Sequence, residues 1–195
     1  MSEVKMELRT FLAIDLPSSL QSVIGQNLRT VKRELPELSW SKPENFHVNL
    51  KFLGNTTEGQ IEQIRKAVEP AVSHVTPFVL ALKGFGVFPD NQSPRVLWIG
   101  LGGALDSLTT LAECVDRAVV PVGFPQENRA FRPHLTVARV KKDYRAVGQA
   151  LGTLGVLTTP FPCGNVSVER VTLFTSELRQ SGAVYTKLWD VSLKA

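Results

Sequence analysis

The chain has 195 residues, 43% hydrophobic and 21% charged, with 22 basic residues against 18 acidic ones for a net charge of +4. That balance suits a globular protein with a buried core and argues against disorder, whose mark is low hydrophobicity with unbalanced charge. No apolar run approaches the roughly 20 residues needed to cross a bilayer, so no membrane association is expected. The start of the chain mixes Glu3, Lys5, Glu7 and Arg9 and does not read as a secretory leader. Two cysteines, Cys114 and Cys163, cannot build a disulfide framework, and neither sits in a CxxC pair. Burial is the expected role of both, and a reducing compartment, the cytoplasm, is the expected location.

In chain order, residues 9–16 predict a buried strand ended by Pro17. Ser18 or Ser19 can cap a helix whose apolar positions Leu20, Val23, Ile24, Leu28 and Val31 keep helical spacing until Pro36. Residues 46–53 predict a second strand, closed by Gly54 and Asn55. Thr57 then begins a helix with Ile61, Ile64, Ala67 and Val68 on one face, stopping near Pro70. Residues 77–88 and 95–101 predict strands joined by the turn-rich segment 89–94. A helix over 104–120, a strand over 131–140 and a helix over 144–154 follow. Strands over 166–175 and 184–193, separated by a turn at 180–182, close the chain. Strands and helices mix with antiparallel neighbours, which favours the α+β class over a doubly wound sheet. No long linker interrupts the pattern, so residues 1–195 are expected to form one two-lobed domain.

The charge is local. Between Arg129 and Arg145 six basic residues face Asp143 alone, an excess of five positive charges in 17 residues, so the remainder carries about −1. His134 lies inside this segment. It opens Pro133-His-Leu-Thr-Val-Ala-Arg139, which shares the order histidine, apolar, small polar, apolar with Phe46-His-Val-Asn-Leu-Lys-Phe52. Side chains alternate faces along a strand, so His47 shares a face with Asn49, and His134 with Thr136. An ancient duplication would explain two such strands 87 positions apart.

A histidine with a small polar residue two positions later is a weak signal, and a lone strand histidine is most simply a hydrogen-bonded structural residue. His74 matches the bare pattern, but its place between Pro70 and Pro77 makes it structural or exposed. His47 and His134 read as mid-strand residues in matching settings. Paired imidazoles suit acid–base chemistry near neutrality, one neutral and one protonated. Cleaving a phosphate ester in line needs such a pair, with donors for the non-bridging oxygens; the Asn49 amide and Thr136 hydroxyl can donate. Arg139, five positions after His134, points to the opposite face of an ideal strand and reaches the phosphate only past a bulge or bend. No metal-binding, Walker or dinucleotide motif is present, so no cofactor is expected. Phe11, Trp40 and Trp98 are expected to pack in the core, with Phe11 a lesser candidate for stacking on a base.

At these residues the sequence resembles the two-histidine (2H) phosphoesterases, especially the bacterial and archaeal RNA 2′,3′-cyclic phosphodiesterases also described as 2′-5′ RNA ligases. The likeness runs through residues 11–17, 43–54, 86–89, 94–98 and 131–139, and on to Ser176-Glu-Leu178 and Gly182-Ala-Val-Tyr185. It implies a bilobal α+β fold, two antiparallel sheets facing a central cleft with helices outside. It also implies metal-independent opening of a 2′,3′-cyclic phosphate, at RNA ends or on small cyclic nucleotides, to a 2′-phosphate by a monomeric enzyme. By motif position His47 would be the proton donor and His134 the acceptor. Asn49, Thr136 and Arg139 would hold phosphate oxygens. Asn49 departs from the family's usual threonine or serine, which gives weight to a rival, an RNA-binding or adaptor protein with little catalysis. A ligase running the chemistry backward would use the same site.

Overall fold

The computed structural model describes residues 7–161, 164–180 and 182–194. In chain order the elements are β1 (Glu7–Asp15), α1 (Ser18–Asn27), α2 (Arg29–Glu34), β2 (Ser39–Trp40), β3 (His47–Thr57) and α3 (Glu58–Val72). Next come β4 (Phe78–Phe88), β5 (Val96–Gly103), α4 (Leu105–Ala118), β6 (His134–Arg139) and α5 (Tyr144–Thr153). The chain ends in β7 (Asn165–Val168), β8 (Arg170–Arg179) and β9 (Gly182–Ser192). They form two antiparallel sheets in the orders β3-β1-β8-β9 and β2-β6-β5-β4-β7, which is the expected α+β class.

The two sheets follow one plan. Each has a histidine strand, β3 or β6, beside a strand about 87 positions from its counterpart, β1 or β5, and then an outer pair. One face of each sheet is apolar and joins a continuous core: Leu12, Ile14, Val48 and Leu50 from the first, Leu97, Ile99, Leu135 and Val137 from the second. Helices close that core from outside. In α3 the residues Ile64, Val68 and Val72 recur every four positions and are buried. In α4 the residues Leu108, Leu111, Ala112 and Val115 do the same at helical spacing. The opposite face of the first sheet carries a separate small cluster of Phe11, Ala13 and Phe174 with Tyr185 packed on it.

Several boundaries differ from expectation. Neither Ser18 nor Ser19 caps α1: Pro17 holds the cap position without a side-chain bond, and Ser18 is already helical. The single helix expected up to Pro36 is two, broken at Leu28. β3 runs on through Gly54, whose φ of +78° suits glycine, to Thr57. Thr57 is the cap of α3, its backbone N–H donating to Gln60 Oε1 at 3.0 Å. α3 passes Pro70 and ends at Val72, since a proline in the last turn removes one bond while burial of Val68 and Val72 holds the segment. β6 begins at His134 rather than 131, and the strand expected over 166–175 is divided at Glu169.

Cys114 is only partly buried, on α4. Cys163 and the Ser181 of the expected 180–182 turn lie outside the described residues. His74 is exposed. Trp40 packs on the core as expected, its Nε1–H donating to the Leu35 carbonyl at 2.9 Å.

Lys51 is 3% exposed and ties three elements together. Its Nζ lies 2.7 Å from Asp116 of α4, 2.6 Å from the Pro125 carbonyl and 3.4 Å from Glu127. The loop before β6 is thereby fixed to β3. Removing one partner from such a buried pair costs about 3–5 kcal/mol.

Candidate active site

His47 and His134 are each the first residue of a strand, not mid-strand as the apolar pattern implied. That position has a consequence: each ring folds back on the chain that leads into it. His47 Nδ1 lies 2.7 Å from the Asn45 carbonyl, and His134 Nδ1 lies 2.7 Å from the Arg132 carbonyl. A carbonyl oxygen can only accept, so Nδ1 carries the proton in both rings and Nε2 is left for other chemistry. Asn45 is itself anchored, its Nδ2 donating to the Ala183 carbonyl at 2.8 Å. That bond links the orientation of His47 to the start of β9.

Aromatic rings hold each imidazole. Phe11 lies 4.8 Å from His47, and Tyr185 meets it edge-on at 5.3 Å. Phe88 meets His134 edge-on at 5.0 Å, with Trp98 at 6.4 Å. Phe11 is buried, but in the cluster under His47 and apart from the main core. Trp98 also departs from the core reading: it pairs with Thr136 and shares its face, with a buried Nε1 that has no partner among the described residues.

Asn49 and Thr136 sit where alternation places them, beside the two histidines and opposite Ala13 and Trp98. The Asn49 amide and the Thr136 hydroxyl make no hydrogen bond within the described residues, so both are free to meet a ligand. Arg139 reaches the same side through an irregularity in the ladder. Leu97 pairs with Ala138 and Trp98 with Thr136, so Val137 is an extra residue in β6. Val137 and Ala138 are both buried, and the count shifts by one. A bulge therefore turns Arg139 onto the face of His134 and Thr136. β3 has the matching irregularity: Leu12 pairs with Lys51 and Ala13 with Asn49, leaving Leu50 extra.

The electrostatics bring the two halves together. Burial holds both imidazoles below the ordinary value of 6.5. For His47 the hydrogen bond to Asn45 and the charge of Asp15 pull upward, while His134 and Arg139 push down. For His134 the hydrogen bond to Arg132 pulls upward, while Arg139 and Arg132 push down. Arg139 thus acts on both rings, and on the Tyr185 phenol, which burial raises. Asp15 is the cross-strand neighbour of His47, and Gly100 occupies the corresponding place beside His134. Among the described residues no group of three or more His, Cys, Asp or Glu is placed to hold a metal ion. No helix among them is long and apolar enough to cross a membrane.

Residues 20–180 match the 2′-5′ RNA ligase superfamily. The chain belongs to that superfamily. Its relatives include an RNA 2′,3′-cyclic phosphodiesterase of Methanothermobacter thermautotrophicus, 32% identical over 94% of this chain and 97% of the relative. Another, from Aquifex aeolicus, is 36% identical over 75% of this chain and 77% of its own. Among solved structures, Escherichia coli LigT in complex with 3′-AMP superposes with a TM-score of 0.79 at 24% identity, covering 97% of this chain and all of that one. The protein TT0787 of Thermus thermophilus gives 0.78 at 26% identity, covering 96% of this chain and 99% of its own. The superfamily's two-histidine plan was readable in the sequence; Asp15, Phe88, Arg132 and Tyr185 were not assigned a place in it. Tyr185 and Phe88 stand within the motifs that carry the resemblance, and Arg132 in the basic segment, so alternation along their strands was the usable signal for the two aromatics.

Proposed function

We propose that this chain hydrolyses the 2′,3′-cyclic phosphate of RNA ends or small nucleotides to a 2′-phosphate, without a metal, acting as a monomer through one two-lobed domain. The observation that carries the reading is the pair of imidazoles, each pinned through Nδ1 to a carbonyl with Nε2 free, sharing one arginine. The names of the relatives agree with it.

In this reading His134 is the base. Arginines surround it and lower its proton affinity, so its Nε2 lone pair is available to take a proton from water. The water oxygen bonds to phosphorus as the bond from phosphorus to O3′ breaks. His47, beside Asp15, gives its Nε2 proton to the departing O3′. The ribose keeps its phosphate on O2′, and exchange of one proton with solvent resets the pair. Asn49, Thr136 and Arg139 donate to the non-bridging oxygens as negative charge builds. Phe11 serves as the wall beneath His47, and its burial leaves it no face on which a base could stack.

The test is turnover of a nucleoside 2′,3′-cyclic phosphate in the presence of a chelator, with the product identified as the 2′- or 3′-phosphate. A 2′-phosphate that persists with chelator supports the reading. Wild-type rates in both His47→Ala and His134→Ala overturn it.

A further inference from the structure

Phe52 is 45% exposed, the only aromatic among the large exposed hydrophobics of the described residues. It stands five positions after His47, the place Arg139 holds after His134, and the bulge at Leu50 turns it the same way. Its cross-strand partner is Phe11, so the ring lies on the face that carries His47, two rows along and just past Asn49. Arg9, on the Phe11 face of β1, lies with its guanidinium 4.8 Å above the Phe52 ring. Beside this pair a cavity of about 390 Å³ opens between β3 and the loop at Phe124–Arg129. That volume falls within the range of small-ligand sites.

The loop side of the lining mixes apolar Phe124 and Pro125 with the polar Gln126, Asn128 and Arg129. The Gln126 and Asn128 amides and the Arg129 guanidinium have no hydrogen bond or ion pair among the described residues, and Arg9 has no carboxylate partner among them. Glu127 also faces the cavity, with its carboxylate held 3.4 Å from Lys51 Nζ. The same loop runs on to Arg132, whose carbonyl orients His134, so one stretch of chain leads from the cavity to the second histidine.

We infer that this cavity binds the nucleotide that precedes the cyclic phosphate in an RNA strand. Its base stacks on Phe52, the Gln126 and Asn128 amides meet the base edge, and Arg9 and Arg129 meet the phosphodiester. Side-chain amides both donate and accept, so the subsite takes any base, as stacking platforms do. The inference rests on the cyclic phosphodiesterase reading and sharpens its substrate to a strand end rather than a free mononucleotide.

The experiment compares cytidine 2′,3′-cyclic phosphate with a tetranucleotide ending in the same group. The enzymes are the wild type, Phe52→Ala, Phe52→Tyr and Arg129→Gln. The wild type is expected to favour the tetranucleotide at least tenfold in kcat/KM, mainly through KM. Phe52→Ala and Arg129→Gln each lower that ratio about five- to tenfold, in line with loss of one stacked base or one phosphate contact. Phe52→Tyr keeps it, and Arg129→Gln also flattens the dependence on salt. A ratio unchanged in both Phe52→Ala and Arg129→Gln, or equal losses on both substrates, overturns the subsite. If the wild type turns over neither substrate, the catalytic reading fails by itself. Fluorescence titration with a 5′-labelled tetranucleotide 3′-phosphate then decides the subsite: weaker binding by Phe52→Ala supports it and equal binding overturns it.

Discussion

The two halves of the site share their geometry and differ in the charges around each histidine. On each side a histidine opens a strand, bonds through Nδ1 to the carbonyl two residues back, and is followed by a small donor and then a bulge. The sides part at two places. Beside His47 stands Asp15, where His134 has Gly100; after the bulge stands Phe52, where the second strand has Arg139. The repeated features set positions for two equivalent imidazoles. The unrepeated ones make the pair unequal, which a reaction needing one acid and one base requires.

The strongest way to break this picture is to remove either ring. His47→Ala and His134→Ala should each lower kcat/KM for a cyclic nucleotide by about 10²–10⁴-fold. A large loss in one with none in the other would mean a single-histidine mechanism. Arg139→Ala should cost about 10²–10³-fold, the size of a lost donor to a charged transition state. It should also move the pH profile of kcat/KM upward, because a cation that disfavours both imidazolium forms is gone. The wild-type profile should be a bell centred below about pH 6.5, since both rings sit below that value. The pair titrates as a unit, so its limbs are macroscopic.

Asp15→Asn isolates the asymmetry. With His47 as the acid, as proposed, it should lower the alkaline limb and leave the acid limb in place. A shift of the acid limb instead would exchange the two roles. Asn49→Thr should match or exceed the wild-type rate; a large loss would assign the asparagine its own function.

The smallest expected effect is on stability. Both histidines have folded values below the ordinary 6.5, so the unfolded chain binds protons first as pH falls. Their contribution is full above about pH 6.5 and is lost as the pH drops through the folded values. The Tm of the wild type should therefore fall a few degrees more between pH 7.5 and 5 than that of a His47→Gln, His134→Gln double variant. Equal slopes would mean that burial of the rings carries no such cost.

Much of this was legible because strand alternation places side chains by counting. That count brought His47 to Asn49 and His134 to Thr136. It failed at Arg139, since a bulge adds one residue without any change in composition. The adjacent apolar pair Val137 and Ala138 was a hint, both being buried. The matching bulge in β3 gave none, because Lys51 reads as a surface residue. Its burial depends on Asp116, Glu127 and the Pro125 carbonyl, all more than 60 positions away. The aromatic frame was hidden for the same reason, as Phe11 and Tyr185 meet only through the pairing of β1, β8 and β9.

One residue of the site contributes no side chain to it. Trp98 lies flat across Gly86, so close that a methyl group on Gly86 would fall 2.1 Å from the indole. Any larger residue there would force the indole to shift, and the indole meets both the Phe88 and the His134 rings. The missing methyl works as a floor level: it sets where the indole rests, and so how much room is left above the rings that hold His134.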